Sequence, residues 1–252
     1  MVKTFNITIP SLTGDAKRKG YIYLPDTYDT DIDKRYPVMY MFDGHNVFYD
    51  EDATYGTSWG MDTFLKDHPL DLIIIAIECN QTGNMRLSEY TPFDFTYEPV
   101  GHIEAQGKKY MDWLTGTLKP AVDKELRTLK DRAHTYICGS SMGGLMSLYG
   151  ATVYNRYFSY AFCLSPSLWI SPDDVYSIIE KAKLNQDTCI YMDYGSKEMA
   201  HREGIQNILL HSTKLLIDKN INATLRIIPG GTHSEASWAK QVPIIMKLLP
   251  LL

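Results

Sequence analysis

The chain has 252 residues, 44% of them hydrophobic, which is enough for one large α/β domain with a substantial core. Its formal net charge is −5, and no stretch clusters lysine and arginine with aromatic residues, so nucleic acid is not expected as a partner. The amino terminus lacks the apolar segment of a signal peptide, and no apolar run approaches the length of a membrane span. These features predict a cytoplasmic protein without a membrane partner.

Strand-like and helix-like runs alternate along the chain, which predicts an α/β fold with a mostly parallel sheet of about eight strands and helices on both faces. The hairpin-like early runs within residues 4–24 would add an antiparallel edge. The predicted strands are Thr4–Ile9, Gly20–Leu24, Pro37–Phe42, Leu72–Glu78, Thr135–Cys138, Tyr160–Leu164, Thr188–Tyr194 and Thr224–Ile228. The predicted helices are Tyr110–Leu129, Gly143–Thr152, Asp173–Lys183, Arg202–Leu216 and Glu235–Leu249.

The helix-like run Tyr110–Leu129 repeats apolar residues every four positions, as one face of a helix does. Pro120 lies inside this run and predicts a kink or a break. The chain has no internal repeat, low-complexity tract or Pro/Gly-rich linker. We therefore expect a single domain over residues 1–252.

The segment from Asn80 to Gly107 has no clear periodicity and is rich in aromatic and turn-forming residues. A long segment of this kind in a compact domain is usually functional or disordered, and its aromatic residues favour order. It follows a predicted central strand, so it would lie beside the crevice where α/β sheets bind ligands. We expect this insertion to border the active site; the alternative is a surface loop that does not contact substrate.

The residues Gly139-Ser140-Ser141-Met142-Gly143 place Gly-x-Ser-x-Gly between a β-prone run and a helix-prone run. This is the context of a nucleophile elbow, in which a serine lies on a tight strand-to-helix turn. The flanking glycines remove Cβ atoms that would collide there, and the helix N-terminus favours developing negative charge. Ser141 is the candidate nucleophile, because a nucleophile at Ser140 would need a glycine in place of Cys138. The alternative is a turn required only for packing.

A serine nucleophile needs a base, and the base needs an orienting acid. Among seven histidines, His233 follows the last predicted strand in a glycine-rich loop from which it can reach the crevice. The acid is expected between the nucleophile and this histidine in the chain. Glu198, beyond the glycine turn after a strand, is favoured over Asp193, which lies within that strand. Both carboxylates remain candidates from the sequence.

The four cysteines, Cys79, Cys138, Cys163 and Cys189, each lie in an apolar β-like run, and none forms a Cys-x-x-Cys pair. Such cysteines are typical of a reduced protein core and do not indicate disulfides or zinc ligands. Nothing else in the sequence groups His, Cys and Asp as metal ligands. We expect neither a metal nor a cofactor.

The chain resembles the putative-esterase family of α/β-hydrolases, which includes esterase D-like enzymes, feruloyl and acetylxylan esterases, siderophore esterases and mycolyltransferases. The resemblance spans nearly the whole chain, and its motifs occur in the family's order. They are Tyr36-Pro37-Val38-Met39-Tyr40-Met41-Phe42-Asp43-Gly44, Arg86 with Glu89-Tyr90-Thr91-Pro92, Gly139-Ser140-Ser141-Met142-Gly143-Gly144, Ser165-Pro166-Ser167-Leu168-Trp169, and His233-Ser234-Glu235 with Trp238.

The resemblance implies an α/β-hydrolase fold with a Ser141–Glu198–His233 triad, in which Glu198 matches the family's Gly-x-x-Asp/Glu position. It also implies an oxyanion hole formed by the backbone N–H groups of Met142 and His45. The loop Asp43-Gly44-His45-Asn46 differs here from the commoner His-Gly oxyanion loop.

Together these features predict a serine carboxylesterase that hydrolyses a small-molecule ester through an acyl-enzyme on Ser141. Acetyl, feruloyl and short-chain acyl esters are the candidate substrates. Trp59, Tyr90 and Trp169 are candidate aromatic walls of the substrate site, and each has core or rim packing as its alternative. Other possible functions are an acyltransferase with the same triad, a siderophore-lactone esterase, and a non-catalytic binding protein on this fold.

Overall fold

The computed structural model describes residues 1–250, and eight of the ten strands in that range form one sheet in the order β1-β2-β4-β3-β7-β8-β9-β10. The strand β2 is antiparallel to β1 and to β4, and the other neighbours are parallel. The strands are β1 (Val2–Thr8), β2 (Lys17–Tyr23), β3 (Val38–Met41), β4 (Ile73–Ile77), β5 (Phe95–Tyr97), β6 (Gly101–Ile103), β7 (Thr135–Ser140), β8 (Tyr160–Leu164), β9 (Cys189–Gly195) and β10 (Asn222–Ile228). The predicted α/β fold, its eight sheet strands and its antiparallel edge are confirmed.

The helices cover both faces of this sheet. Within residues 1–250 they are α1 (Pro10–Thr13), α2 (Thr27–Thr30), α3 (Met61–Asp67), α4 (Met85–Glu89), α5 (Gly107–Trp113), α6 (Lys119–Glu125), α7 (Met142–Val153), α8 (Pro172–Lys181), α9 (Ser196–Met199), α10 (Ile205–Asp218), α11 (Glu235–Ala239) and α12 (Val242–Lys247). The last predicted helix, Glu235–Leu249, is therefore two helices, and Pro243 stands in the first turn of the second.

The predicted helix Tyr110–Leu129 is also interrupted. A π-helical segment, Leu114–Leu118, joins α5 to α6, and α6 already ends at Glu125. Pro120 lies in the first turn of α6. Its ring would clash with the carbonyl four residues earlier in a regular helix, and that position falls in the wider π-helical segment. The predicted break is thus confirmed, with a change of helix type just before the proline.

The central strands are buried on both faces, so successive residues of one strand enter different cores. Tyr40 of β3 packs in the core that contains α7, whereas Met39 and Met41 pack in the core that contains α3 and α12. This double burial explains why the parallel strands read as nearly continuous apolar runs. All four cysteines are free, and three of them are fully buried. No helix within residues 1–250 combines the length and the apolar character needed to cross a membrane.

The insertion between Asn80 and Gly107 is folded. It contains α4 and an antiparallel hairpin of β5 with β6. Tyr90 and Phe95 from this segment are buried in the core that contains α7. The aromatic residues therefore do favour order, because they anchor the segment to the main core.

Candidate active site

The predicted functional residues follow four parallel strands of the sheet at their carboxyl ends. His45 follows β3, Ser141 follows β7, Glu198 follows β9 and His233 follows β10. Chain order reverses at β3, because β4 lies on one side of it and β7 on the other. Loops diverge at such a reversal and leave a crevice outside the strand ends. All four residues come to this edge of the sheet.

Ser141 has the strained backbone expected of a nucleophile elbow. Its φ and ψ are 57° and −119°, a region that residues other than glycine rarely adopt. A Cβ atom on Gly139 would lie 2.7 Å from the backbone of Gly143, and one on Gly143 would lie 2.9 Å from the Cβ of Phe42. The two glycines therefore permit the close contact of β7, α7 and β3 on which the turn depends.

Ser141, His233 and Glu198 form a hydrogen-bonded chain. The Nε2 atom of His233 lies 2.9 Å from the Oγ of Ser141, and its Nδ1 lies 2.7 Å from Oε2 of Glu198. With a proton on Nδ1, the histidine donates to the carboxylate and can accept the serine proton at Nε2. The structure thus brings together the three residues that the sequence singled out as nucleophile, base and acid.

Glu198 is buried, with its side chain only 5% exposed, and its carboxylate is held by donors on both oxygens. Oε1 accepts hydrogen bonds from the Ser165 hydroxyl at 2.7 Å and from the Gly195 N–H at 3.1 Å. Oε2 remains for His233. These contacts fix the carboxylate in the orientation that the histidine requires.

Asp193, the alternative acid, is buried inside β9 and forms no hydrogen bond with His233. Its carboxylate accepts from the backbone N–H of Ser165 at 3.2 Å and from the Tyr191 hydroxyl at 3.2 Å. Burial raises the pKa of Asp193 to about 7. The carboxyl group of Asp193 thus bonds to β9 and to the residue after β8, and Glu198, which the sequence favours, is the carboxylate that contacts His233.

The loop that carries His233 is held against β9 and α11. The Trp238 ring meets the His233 ring edge to face, with centroids 5.0 Å apart. Its Nε1–H donates to Ser165 Oγ at 3.0 Å, the same hydroxyl that donates to Glu198. A Cβ atom on Gly195 would lie 2.4 Å from the carbonyl oxygen of Gly231, so only glycine lets the two loops approach this closely.

The predicted oxyanion donors occupy first turns of helices. Met142 begins α7, and His45 lies in the short 3₁₀ helix Gly44–Asn46 after β3. Backbone N–H groups in a first turn have no carbonyl partner within their own helix, so they remain available to a ligand. The His45 side chain points away to Thr54, with Nε2 and the threonine oxygen 3.0 Å apart, and burial lowers the pKa of its imidazole. The backbone of His45, not its ring, is therefore the part suited to bind an oxyanion.

An ion pair anchors the loop before His45. Asp43 adopts a left-handed backbone conformation with φ of 54°, and both of its carboxylate oxygens accept from Arg86, each at 2.7 Å. The Arg86 guanidinium holds the pKa of this buried carboxyl below its usual range, against the effect of burial. Because Arg86 belongs to α4, this pair connects the insertion to the loop that bears His45, a predicted oxyanion donor.

Within residues 1–250, one buried group has the donor types of a metal site: Asp43, His45 and Cys79, whose ligand atoms lie within 4.8 Å of one another. The sequence did not indicate this group. Both Asp43 oxygens are already bound by Arg86, and burial raises the pKa of the Cys79 thiol, which disfavours the thiolate that metals bind. We interpret the cluster as packing of the loop after β3.

Two cavities open on either side of Ser141. The Trp169 cavity has a volume of about 300 Å³ and is lined by Ser141, Ser167, Trp169, Tyr194, Lys197, Glu198, His201, Arg202, Thr232 and His233. The Arg86 cavity has a volume of about 480 Å³ and is lined by His45, Asn46, Thr54, Tyr55, Cys79, Asn80, Gln81, Gly83, Arg86, Ser140, Ser141, His233, Glu235 and Trp238. Residues of the insertion therefore border the site, as its position in the sequence indicates.

Of the three aromatic residues predicted to form substrate walls, only Trp169 lines a cavity. Trp59 is 4% exposed and packs against Trp238, with ring centroids 6.5 Å apart. Tyr90 is fully buried, and its hydroxyl accepts the backbone N–H of Asp43 at 3.3 Å. Both are core residues, and the structure corrects their predicted place in the substrate site. An aromatic residue in a motif does not reveal which side of its loop faces the core.

Two residues that contact Glu198 or His233 had no role predicted from the sequence. Ser165 orients Glu198, and Trp238 packs on His233 and binds Ser165. Both belong to motifs that the family resemblance marks, but nothing local in the sequence connects position 165 to position 238. A third residue, Ser167, places its hydroxyl oxygen 3.4 Å from that of Ser141.

The fold is that of an α/β-hydrolase. Residues 11–248 match the family described as "Putative esterase", and the chain belongs to that family. A relative from Bacillus subtilis (strain 168), "Uncharacterized protein YbbA", is 25% identical over 236 residues, which cover 90% of each chain.

Solved structures of similar fold include an IroE-like serine hydrolase from Shewanella oneidensis, with a TM-score of 0.77, 19% identity, and coverage of 99% of this chain and 80% of that one. A ferulic acid esterase gives a TM-score of 0.69 at 18% identity, with coverage of 99% and 96%. The enterobactin and salmochelin hydrolase IroE gives 0.68 at 20% identity, with coverage of 97% and 94%. At these identities the likeness is one of fold.

Proposed function

We propose that this protein is a serine carboxylesterase that hydrolyses its substrate through an acyl-enzyme on Ser141. The observation that carries the proposal is the chain of hydrogen bonds from Ser141 through His233 to the buried Glu198, with distances of 2.9 and 2.7 Å. The serine also lies on a strained turn at a helix N-terminus and opens on two cavities. A turn needed only for packing would not require this combination of a hydrogen-bonded chain, a strained serine and adjacent cavities.

In the first half of the reaction, the Nε2 of His233 accepts the Ser141 proton as the serine oxygen bonds to the ester carbonyl carbon. The carbonyl oxygen becomes an oxyanion, which the N–H groups of Met142 and His45 stabilise. Glu198 stabilises the imidazolium that forms. When the tetrahedral intermediate collapses, the alcohol oxygen leaves with the proton from Nε2, and the acyl group stays on the serine.

In the second half, His233 takes a proton from a water molecule, whose oxygen bonds to the acyl carbon. The intermediate collapses, the acid leaves, and the proton returns to Ser141. The His233 side chain is 46% exposed, so water can reach the position next to Nε2. This exposure favours hydrolysis over transfer to an acceptor alcohol, because an acyltransferase must keep water from its acyl-enzyme.

For the substrate we propose a range of ester classes and not one compound. Acetyl, feruloyl and short-chain acyl esters suit the two cavities beside Ser141, and ferulic acid esterases and siderophore hydrolases occur among proteins of similar fold. A siderophore lactone is the second candidate. Trp169 offers an apolar surface that the aromatic ring of a feruloyl ester or of an aromatic siderophore would contact.

Intact-protein mass spectrometry during turnover of 4-nitrophenyl acetate tests the mechanism. We expect a burst of 4-nitrophenolate and an acetyl adduct that maps to the peptide containing Ser141. A fluorophosphonate probe should label the same serine and abolish turnover. Added methanol or glycerol separates hydrolysis from acyl transfer, since a transferase would form the new ester as its main product. Absence of both labelling and turnover on a panel of esters would favour a non-catalytic protein.

A further inference from the structure

The Trp169 cavity carries an excess of positive charge beside the nucleophile. Lys197, His201 and Arg202 line it, and Glu198 is the one carboxylate on its wall. Glu198 is bound to His233 and does not neutralise the basic side chains. This concentration of bases occurs in a chain whose acidic residues outnumber its basic residues by 30 to 25.

These basic groups have no acidic partner within the described chain. In residues 1–250, neither Lys197 nor Arg202 forms a salt bridge, although twelve other such contacts occur. Unpaired cations that share a concave wall concentrate anions near that wall. The free side chains therefore point to a ligand of opposite charge.

Arg202 packs on the face of Trp169. Its guanidinium lies 3.7 Å from the centre of the indole ring, and Tyr97 from the insertion packs on the same indole at 5.9 Å. Stacking uses the flat face of a guanidinium and leaves the N–H groups in its plane free to donate. A carboxylate can accept two such hydrogen bonds at once.

The cavity on the other side of Ser141 is different. Its arginine, Arg86, forms an ion pair with Asp43 through Nε and Nη2, and its wall also contains the carboxylate of Glu235. The cationic side chains without a carboxylate partner therefore lie on the wall of the Trp169 cavity. A substrate that spans both cavities would meet the stronger positive charge on that side.

We propose that the Trp169 cavity binds an anionic group of the ester substrate, most simply a carboxylate held by Arg202 and Lys197 with an apolar part against Trp169. This inference rests on the proposed esterase function, because the anion is placed relative to the nucleophile. It identifies the substrate class as esters that carry a negative charge in their acyl or alcohol part. Arg202 and Lys197 are then specificity-determining residues.

Matched pairs of esters test this proposal. One pair, mono-4-nitrophenyl glutarate and 4-nitrophenyl valerate, varies the charge of the acyl part. A second pair, 4-acetoxybenzoate and its methyl ester, varies the charge of the alcohol part. Spontaneous release in buffer is subtracted for every ester, because the carboxylate of the glutarate ester attacks its own carbonyl and releases 4-nitrophenolate without enzyme. We expect kcat/KM to be about tenfold higher for the anionic member of one pair, after correction for the two esters' rates with hydroxide, and this advantage to shrink at high salt.

Charge-neutralising variants identify the residues responsible. Arg202→Gln and Lys197→Gln should each reduce the ratio of anionic to neutral kcat/KM several-fold. Arg35→Gln is the matched control, because Arg35 is exposed at the opposite end of β3, and it should leave the ratio unchanged. An equal change of the ratio in all three variants would overturn the assignment to this cavity.

Different results would overturn the anion site and the esterase function. Turnover of neutral esters without any preference for charge in either pair would overturn the anion site and leave the esterase intact. Absence of turnover and of fluorophosphonate labelling with every ester would overturn the proposed function, and the anion site with it. A preference for the neutral member of both pairs would also contradict the inference.

Discussion

The substitution Glu198→Gln separates the orienting role of the carboxylate from its structural role. A glutamine can keep its carbonyl oxygen in the place of Oε1, where it still accepts from Ser165 and Gly195. Its NH₂ group then faces Nδ1 of His233. Two of the three hydrogen bonds at this position survive, so the free energy of unfolding should change by only about 1–2 kcal/mol.

The chemical effect should be much larger. Facing an NH₂ donor, Nδ1 must act as acceptor, so the neutral imidazole carries its proton on Nε2 and cannot take the Ser141 proton. The same tautomer change in a serine protease triad lowers kcat by about 10⁴. That factor corresponds to about 5 kcal/mol of activation free energy. We expect a loss between about 10³ and 10⁴ in kcat for a short-chain 4-nitrophenyl ester.

The matched control is Asp193→Asn, a second carboxyl-to-amide change in the same strand-to-loop region. Asp193 does not contact His233, so kcat should stay within about threefold of the unchanged protein. Thermal unfolding and circular dichroism should show that both variants are folded. A greater loss of kcat in Asp193→Asn than in Glu198→Gln would refute the assignment of the acid.

Three further predictions concern the nucleophile, the wall of the cavity and the pKa of Asp193. Ser141→Ala should lower turnover by about 10⁶, whereas Ser140→Ala should retain appreciable turnover, as measured with 4-nitrophenyl acetate; wild-type turnover in the first variant would contradict the nucleophile. Trp169→Ala should reduce kcat/KM for aromatic esters by about 10–200-fold more than for 4-nitrophenyl acetate, and equal losses on all esters would make this residue purely structural. Asp193 has a pKa raised from 3.8 to about 7, so the unfolded chain loses this proton before the folded protein does, and stability falls as pH rises through that interval. Denaturant unfolding at about pH 5 and about pH 8 should therefore show a decrease that is about 3 kcal/mol larger for the unchanged protein than for Asp193→Asn.

Local patterns in the sequence were sufficient to predict the eight strands of the main sheet and the candidate nucleophile. Alternation of strand-like and helix-like runs predicts the eight-stranded sheet because parallel strands need helical crossovers between them. The register of Gly139 and Gly143 selects Ser141 over Ser140, since a nucleophile at Ser140 would need a glycine in place of Cys138. Pro120 predicts the break that the π-helical segment supplies, because proline excludes a regular helical hydrogen bond.

The choice between Glu198 and Asp193 is different, because one carboxylate lies at the end of β9 and the other just beyond it. It depends on which side chain reaches His233, 35 residues beyond Glu198, and tertiary packing through Ser165, Gly195 and the His233 loop settles that contact.

The residues that line the cavities also could not be predicted from the sequence. Trp59 and Tyr90 are aromatic, as the walls of a substrate site often are, but both are buried in the core. Arg202 and Lys197 were not predicted as site residues, yet they line the cavity beside Ser141. A sequence fixes local geometry because backbone preferences act over a few residues. Which side chains share a cavity depends on contacts between distant strands and loops, and those contacts exist only after the sheet has assembled.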